Sequence, residues 1–204
     1  MQKRKPTSVR QKEIVSAARK LIVKYGSENV TVKRMAKEIG VSEAAVYRHF
    51  KSKRDILTFL ADDIENTLIA DIEKHFSGEL GSLEILQRIM KDHISAIEQK
   101  KGVTFQVIAE IISKGDKKLN QKIYDAINRY INKIRDILAT GVKAGIIRPD
   151  INLDATAKSL FGMIQGLVGL WALGQYNFNL EQEFAAAWDI FLKAIAQPDG
   201  AAST

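Results

Sequence analysis

Apolar residues recur at helical spacing along almost the whole chain, and this periodicity limits the possible folds more than any other feature. Between Ser8 and Tyr25, for example, they stand three or four residues apart, at Ile14, Ala17, Ala18, Leu21 and Ile22. That spacing places them on one face of an α-helix. The chain also has only three prolines and many Ile, Leu, Ala, Lys and Glu residues, a composition that favours helix. We therefore predict an all-α fold.

The same spacing, with glycine and proline at the breaks, predicts nine helices. A long first helix covers about 8–25, and two short helices lie within 31–50. The other helices have approximate bounds 53–75, 83–98, 103–113, 117–143, 153–173 and 180–195. No glycine- or proline-rich linker precedes the fourth helix, so we expect the N-terminal part to join the rest of the chain through helix.

Residues 31–53 read TVKRMAKEIGVSEAAVYRHFKSK and predict two short helices separated by a tight turn. Thr31 and Ser42 can each cap the N-terminus of one helix. Gly40 stands where the chain must reverse, because glycine accepts a positive φ at no steric cost. Two helices joined in this way form a helix-turn-helix, whose second helix enters the major groove of DNA.

Positive charge is concentrated in the same part of the chain. Residues 1–55 contain 15 Lys and Arg against 5 Asp and Glu, a net charge of +10, whereas the remaining residues carry a net charge of −3. Tyr47 and His49 add hydrogen-bond donors beside the basic side chains, as contacts to phosphate require. A basic module on a mildly acidic body is expected when one end of a protein meets DNA. A solvated helical hairpin with an ordinary positive face is the alternative.

The segment from residue 31 to residue 57 resembles the DNA-binding module of the TetR family of bacterial transcriptional regulators. The matching residues are Thr31, Ala36, Gly40-Val41-Ser42, Tyr47, His49-Phe50, Lys53 and Leu57, while Ala44 stands where the family often has glycine or proline. The resemblance implies a helix-turn-helix DNA-binding domain over residues 1–54. It also implies a helical effector-binding and dimerisation domain over residues 55–198. We expect the tail over residues 199–204 to be disordered, as chain termini often are.

The resemblance further implies which side chains meet DNA. Base edges would be contacted by Lys33, Glu43, Ala44 and Arg48, and phosphates by Thr31, Tyr47, His49 and Lys53; Ser42, the cap of the recognition helix, completes the set. The partner would be double-stranded operator DNA. Because a two-fold dimer reads two half-sites, we expect that operator to be palindromic.

Small residues follow one line along the predicted eighth helix. Glycine inside a helix costs about 0.5–1 kcal/mol relative to alanine, and this cost is tolerated where the backbone approaches a partner helix, a neighbouring helix or a ligand. In TetR-like proteins the last two long helices form the four-helix bundle of a dimer. We therefore expect a homodimer, with packing inside one chain as the alternative. The predicted interface residues are Gly162, Gly166, Gly169, Phe184, Trp188 and Phe191.

TetR-like proteins also hold a small-molecule effector among the helices of the second domain. The residues that fall on those helices and suit an apolar or amphipathic ligand are Met90, His93, Phe105, Tyr124, Phe161 and Gln165. Packing in the core accounts for the same residues, and His93 in particular suits a buried structural histidine with a hydrogen-bond partner.

The sequence predicts no catalytic residue, metal site or cofactor. It has no cysteine, its three histidines lack the spacing of zinc ligands, and it contains no glycine-rich phosphate loop. The longest apolar run, 159–173, is shorter than the roughly 20 residues of a membrane span. The first residues are basic without an apolar core, so we expect no secretory signal, no membrane partner and a cytoplasmic location.

We interpret the sequence as that of a homodimeric transcriptional regulator, a repressor that a small apolar or amphipathic ligand releases from its operator. The first alternative is a TetR-like DNA-binding protein under the control of a protein partner, acting in cell division or chromosome organisation. The second is a helical enzyme or carrier, against which the lack of a catalytic constellation counts.

Overall fold

A computed structural model gives the structure of the chain. It describes residues 6–26, 30–75 and 80–198. The predicted tail over 199–204 and the first five residues of the basic N-terminus lie outside the described residues. The prediction of an all-α fold is confirmed for the part that is described.

The described residues form nine α-helices, and three of them have the predicted bounds. These helices are α1 (Thr7–Tyr25), α2 (Val32–Glu38), α3 (Glu43–Tyr47), α4 (Lys53–Glu73), α5 (Ser82–Gln99), α6 (Val103–Lys114), α7 (Lys117–Lys143), α8 (Leu153–Leu173) and α9 (Leu180–Ile195). The last three begin and end where the sequence predicted, because glycine or proline interrupts the apolar periodicity near their ends.

The helices belong to two compact units. Residues 1–65 and 102–124 form the first unit, and residues 66–101 and 125–204 form the second. The first unit therefore contains α6 as well as the predicted helix-turn-helix. The domain boundary predicted after residue 54 remains a prediction, since the compact first unit continues beyond it.

In the first unit, α1 packs on α2 and α6, and α2 packs on α3. The apolar stripe of α1 supplies the centre of this core, where Ile14 and Ala18 are fully buried. Met35 of α2 and Val46 of α3 are also fully buried. Removal of this apolar surface from water holds the short helices in place.

In the second unit, α9 packs on α5 and on α8. Gly141 of α7 allows a close approach, because a Cβ atom at that position would lie only 2.5 Å from Cδ1 of Ile147 and 2.6 Å from Oγ of Ser82. At the turn between α8 and α9, the indole nitrogen of Trp171 donates a hydrogen bond of 2.9 Å to the carbonyl of Phe178. These contacts hold the C-terminal parts of α7 and α8 in the second unit.

Candidate nucleic-acid interface

Two capping bonds define the helix-turn-helix. The hydroxyl of Thr31 accepts a hydrogen bond from the backbone amide of Arg34, and the hydroxyl of Ser42 accepts one from Ala45, both at 3.2 Å. Between the two helices Gly40 has a φ of 69°, a conformation that a side chain disfavours. The predicted caps and turn of the motif are therefore present in the structure.

Seven of the nine residues predicted to meet DNA have exposed side chains. Lys33 lies on the outer face of α2, and Tyr47 retains half of its accessible surface. The complete exposed set is Thr31, Lys33, Ser42, Glu43, Ala44, Tyr47 and Arg48. Because Met35 of α2 and Val46 of α3 are buried on the inner side of these helices, the polar face points away from the core.

The other two predicted residues, His49 and Lys53, are only partly exposed. The Nδ1 atom of His49 is buried without a hydrogen-bond partner among the described residues. Lys53 donates a hydrogen bond of 3.0 Å from its ammonium to Oε1 of Glu110 on α6. The structure thus gives Lys53 an intramolecular anionic partner that the sequence did not suggest.

The first turn of α4, directly after the motif, is held by two sets of polar contacts. Ser52 and Asp55 cap it reciprocally, since each side chain accepts a hydrogen bond from the backbone amide of the other residue, at 3.2 Å and 3.1 Å. Arg54 binds Asp116 through both Nε and Nη2. Asp116 in turn accepts hydrogen bonds from the amides of Lys118 and Leu119 at the start of α7.

Asp116 illustrates the electrostatics of this contact. The hydrogen bond from Arg54 holds the pKa of the Asp116 carboxyl below its ordinary value, and the bond from the Leu119 amide acts in the same direction. Both groups stay charged at neutral pH, so the contact joins α4 to the α6–α7 turn as an ion pair.

Sequence reasoning missed Glu110, although one signal was present. The buried stripe of α6 contains Val103, Val107 and Ile111 at helical spacing, and Glu110 falls within it. Only 9% of the surface of Glu110 is exposed. An acidic residue inside an apolar stripe needs a cationic partner, but the sequence does not show which of the many basic residues provides it.

The second unit contains a different buried polar contact. Nδ1 of His93 on α5 lies 2.8 Å from the hydroxyl of Tyr130 on α7, and the ring of Tyr130 meets that of Phe161 on α8 edge-on at a centroid distance of 6.2 Å. Burial lowers the pKa of His93 to about 4, with Lys100 adding to the effect and Asp71 opposing it. Burial likewise raises the pKa of Tyr130 above its ordinary value. Both groups are therefore neutral at pH 7.

The six residues predicted to surround a ligand are divided between the two units. Met90, His93, Phe161 and Gln165 belong to the second unit, where Met90 is fully buried. Phe105 and Tyr124 belong to the first unit, and the side chain of Tyr124 is 61% exposed. His93 and Phe161 are brought together through Tyr130, which the prediction did not include.

Family profiles match both parts of the chain. Residues 14–58 match the profile described as bacterial regulatory proteins, tetR family. Residues 62–194, more than half of the chain, match the profile described as YsiA-like protein, C-terminal region. The chain belongs to the TetR family. It is a DNA-binding transcriptional regulator, as the resemblance of the motif predicted.

Several TetR-type proteins are similar along most of their length. The fatty acid metabolism regulator protein of Bacillus subtilis (strain 168) is 25% identical over 168 residues, which are 82% of this chain and 86% of that protein. The nucleoid occlusion factor SlmA of Vibrio atlanticus (strain LGP32) is 27% identical over 183 residues, covering 89% and 93% of the two chains. A structure of the transcriptional regulator FadR from Bacillus subtilis in complex with stearoyl-CoA has the same fold, with a TM-score of 0.77, 22% identity and coverage of 90% and 98%.

The residues predicted for a TetR-type dimer interface fall into two groups. Gly162 and Gly166 on α8 are exposed, and a Cβ atom at either position would meet no other atom within 4 Å; Gly169 is partly exposed. Phe184 and Trp188 on α9 are buried within the protomer. Trp188 stacks on both Phe184 and Phe191, at centroid distances of 6.0 Å and 5.5 Å.

Large apolar side chains that the sequence analysis did not single out are exposed on the same two helices. Leu170 and Leu173 of α8 are 62% and 83% exposed, and Ile190 of α9 is 71% exposed. Gly162, Gly166, Leu170 and Leu173 follow one another at helical spacing, so they form one stripe along α8. We call this stripe the outer α8 face.

The described residues contain neither a group of potential metal ligands nor a membrane-spanning helix. Within residues 6–26, 30–75 and 80–198, no three His, Asp or Glu side chains are grouped so that they could hold a metal ion. Among the same residues, no helix has the length and apolar character needed to cross a membrane.

The buried His93 predicts how stability depends on pH. The unfolded histidine takes up a proton near its ordinary pKa of 6.5, whereas the folded one does so only near 4. Protonation therefore favours the unfolded chain, and the contribution of His93 is complete above pH 6.5 and lost as the pH falls. We expect this effect to lower the free energy of unfolding by about 2 kcal/mol between pH 7 and pH 5.

Urea unfolding of the wild type and of His93→Gln at pH 7, 6 and 5 measures this contribution. Glutamine keeps a hydrogen-bonding group near Tyr130 but does not titrate. The wild type should lose more stability than the variant over this range, and parallel losses would show that His93 is not the responsible group.

Proposed function

We propose that the protein is a cytoplasmic, homodimeric repressor that binds a palindromic operator and leaves it when an amphipathic small molecule binds. The observation that carries this proposal is the exposed polar face of α2 and α3, capped by Thr31 and Ser42, in a chain of the TetR family. The charge of +10 on residues 1–55 supports an anionic partner for that face.

The residues predicted to contact DNA fall into two groups, those that meet base edges and those that meet phosphates. Glu43, Ala44 and Arg48 lie on or next to the recognition helix α3, and we propose that they and Lys33 meet base edges in the major groove. Thr31, Tyr47, His49 and Lys53 contact phosphates and fix the register of the protein on DNA. None of these contacts requires a change in the fold of the first unit.

Replacing Lys33 with alanine should weaken operator binding about tenfold or more and relax the preference at one base position, because a base contact contributes about 1–3 kcal/mol of discrimination. Fluorescence anisotropy with the DNA upstream of the protein's own gene, and with single-base variants of it, measures both effects. Lys91→Ala is the control, since it removes the same charge from an exposed position on α5. Equal affinities for the wild type and Lys33→Ala would reject this placement.

The outer α8 face supports a homodimer. Leu170, Leu173 and Ile190 expose much of their apolar surface, and the glycines beside the leucines allow another backbone to come close. A second copy is the occupant we propose, because a palindromic operator requires a two-fold partner. Phe184 and Trp188, which are buried in the protomer, support this interface from beneath, and Phe191 and Gly169 lie at its margin.

Leu173→Glu should convert the dimer to a monomer, since a carboxylate would be buried in an apolar contact. Gly166→Leu should also weaken the dimer, because it fills the space that the second copy needs. Light scattering at micromolar concentration gives the mass of each variant. Ile112→Glu, a similar change at a 62% exposed residue of α6, should leave the mass unchanged. A monomeric wild type would contradict the proposal.

We infer that the effector belongs to the fatty acyl class. The relative from Bacillus subtilis is named as a regulator of fatty acid metabolism, and its similarity extends over 82% of this chain. A fatty acyl compound has the apolar body and polar head expected of an amphipathic ligand. The neutral pair of His93 and Tyr130, surrounded by the apolar stripe of α5, offers polar atoms that could meet such a head.

Stearoyl-CoA should lower operator affinity, and operator DNA should lower the affinity for stearoyl-CoA by the same factor, within about 5–150-fold. Titration calorimetry with and without the operator measures both quantities. Coenzyme A without an acyl chain is the control ligand and should have little effect. Equal stearoyl-CoA affinities in the two titrations would show that the acyl compound is no switch.

Control by a protein partner is the second candidate. The similarity to SlmA, named as a nucleoid occlusion factor, extends over 89% of this chain and favours this alternative over an enzyme. Under this alternative operator affinity is indifferent to stearoyl-CoA, so the same titration separates the two candidates.

A further inference from the structure

Lys53 has two potential anionic partners that compete for a single ammonium group. Lys53 is the first residue of α4, directly after the helix-turn-helix, and its ammonium lies 3.0 Å from the carboxylate of Glu110. The side chain is still 30% exposed, so an external phosphate can reach it. We propose that Glu110 competes with DNA phosphate for Lys53 and thereby lowers the operator affinity of the resting protein.

Glu110 has a strong requirement for a cation. Its side chain is 9% exposed, and it shares a small cleft with Met35, Ile56 and Leu60, which are fully or almost fully buried. A carboxylate in such surroundings is stable only with charged or hydrogen-bonding partners. Lys53 lies nearer to Glu110 than Lys114 does, since the Lys114 ammonium is 3.6 Å from the carboxylate and half of the Lys114 side chain is exposed.

Binding of Lys53 to a phosphate therefore has an internal cost. The ammonium must leave Glu110, or divide its hydrogen bonds between the carboxylate and the phosphate, and the hold of Lys53 on Glu110 is then weakened. A protein without the negative charge at position 110 would bind phosphate through Lys53 without this cost. The inference rests on the proposed phosphate contact of Lys53, and it assigns the control of that contact to α6.

The neighbouring ion pair keeps the effect local. Arg54 binds Asp116 through two nitrogen atoms, and Ser52 and Asp55 cap α4. These contacts hold the first turn of α4 whether or not Glu110 is charged. Neutralising Glu110 should therefore change the availability of Lys53 more than the position of α4.

A double-mutant cycle tests the competition. Operator affinity is measured by fluorescence anisotropy for the wild type, Glu110→Gln, Lys53→Ala and the double variant, at several salt concentrations. We expect Glu110→Gln to raise affinity about three- to fivefold in the presence of Lys53. For the Glu110→Gln variant, the slope of log K against log salt concentration should be steeper than that of the wild type by up to about 0.9, which is the contribution of one additional phosphate contact. With alanine at position 53, Glu110→Gln should have no more effect than Glu84→Gln, which removes a charge from an exposed residue of α5.

A second variant keeps the glutamate at position 110 and removes one of its cationic partners. Lys114→Ala should strengthen the hold of Glu110 on Lys53 and lower operator affinity, but it should have no effect beyond that of Lys91→Ala once position 110 is glutamine. The comparison of Lys114→Ala with Lys91→Ala in the wild-type background applies even if Glu110→Gln lowers the stability of the first unit, because both variants replace an exposed lysine and keep Glu110.

The outcomes test the phosphate contact of Lys53 and the competition of Glu110 separately. If Lys53→Ala leaves operator affinity unchanged, the proposed phosphate contact is wrong and the competition falls with it. If Lys53→Ala weakens binding but Glu110→Gln has the same effect with and without Lys53, the phosphate contact stands and the competition is wrong. A loss of affinity in Glu110→Gln would also overturn the competition, since it would mean that Glu110 holds Lys53 in its DNA-binding position.

Discussion

The recognition surface depends on burial of the apolar sides of two helices that are too short to be stable alone. Helix α2 has seven residues and α3 has five, whereas isolated helices need about 12–15 residues even with favourable sequences. Met35 and Val46, both fully buried, hold them in the core of the first unit. The polar face that we propose meets DNA is therefore ordered by the opposite face, and the caps at Thr31 and Ser42 only refine its ends.

The helices could be predicted from the sequence because their signals are local. The apolar spacing, the capping residues and the glycine of the turn all act within a few residues, so α7, α8 and α9 have the predicted bounds. The partners of polar residues could not be predicted in the same way. Glu110 and Lys53 are 57 residues apart, and His93 and Tyr130 are 37 residues apart. Their pairing depends on which helices pack together, and no local pattern encodes that.

The two buried polar contacts solve the same problem in different ways. His93 and Tyr130 lie in apolar surroundings, where burial keeps both groups neutral and one hydrogen bond satisfies them. Glu110 instead meets Lys53, which is still partly exposed. A neutral, buried pair such as His93 and Tyr130 suits a permanent structural contact or a hydrogen-bonding site for a ligand. A charged pair next to the proposed DNA-binding face can exchange one partner for another, which is why we propose that Glu110, and not His93, competes with phosphate for Lys53.

Helix α9 shows why large aromatic residues are a poor guide to an interface. Phe184, Trp188 and Ile195 follow one stripe and are buried in the protomer, because the largest apolar side chains gain most from the chain's own core. The opposite side of the helix carries Ala186, Ile190 and Ala194, all exposed. A helix that is apolar on two sides has more apolar surface than one core can cover. We therefore propose that a second copy covers the smaller residues of the second side together with the outer α8 face.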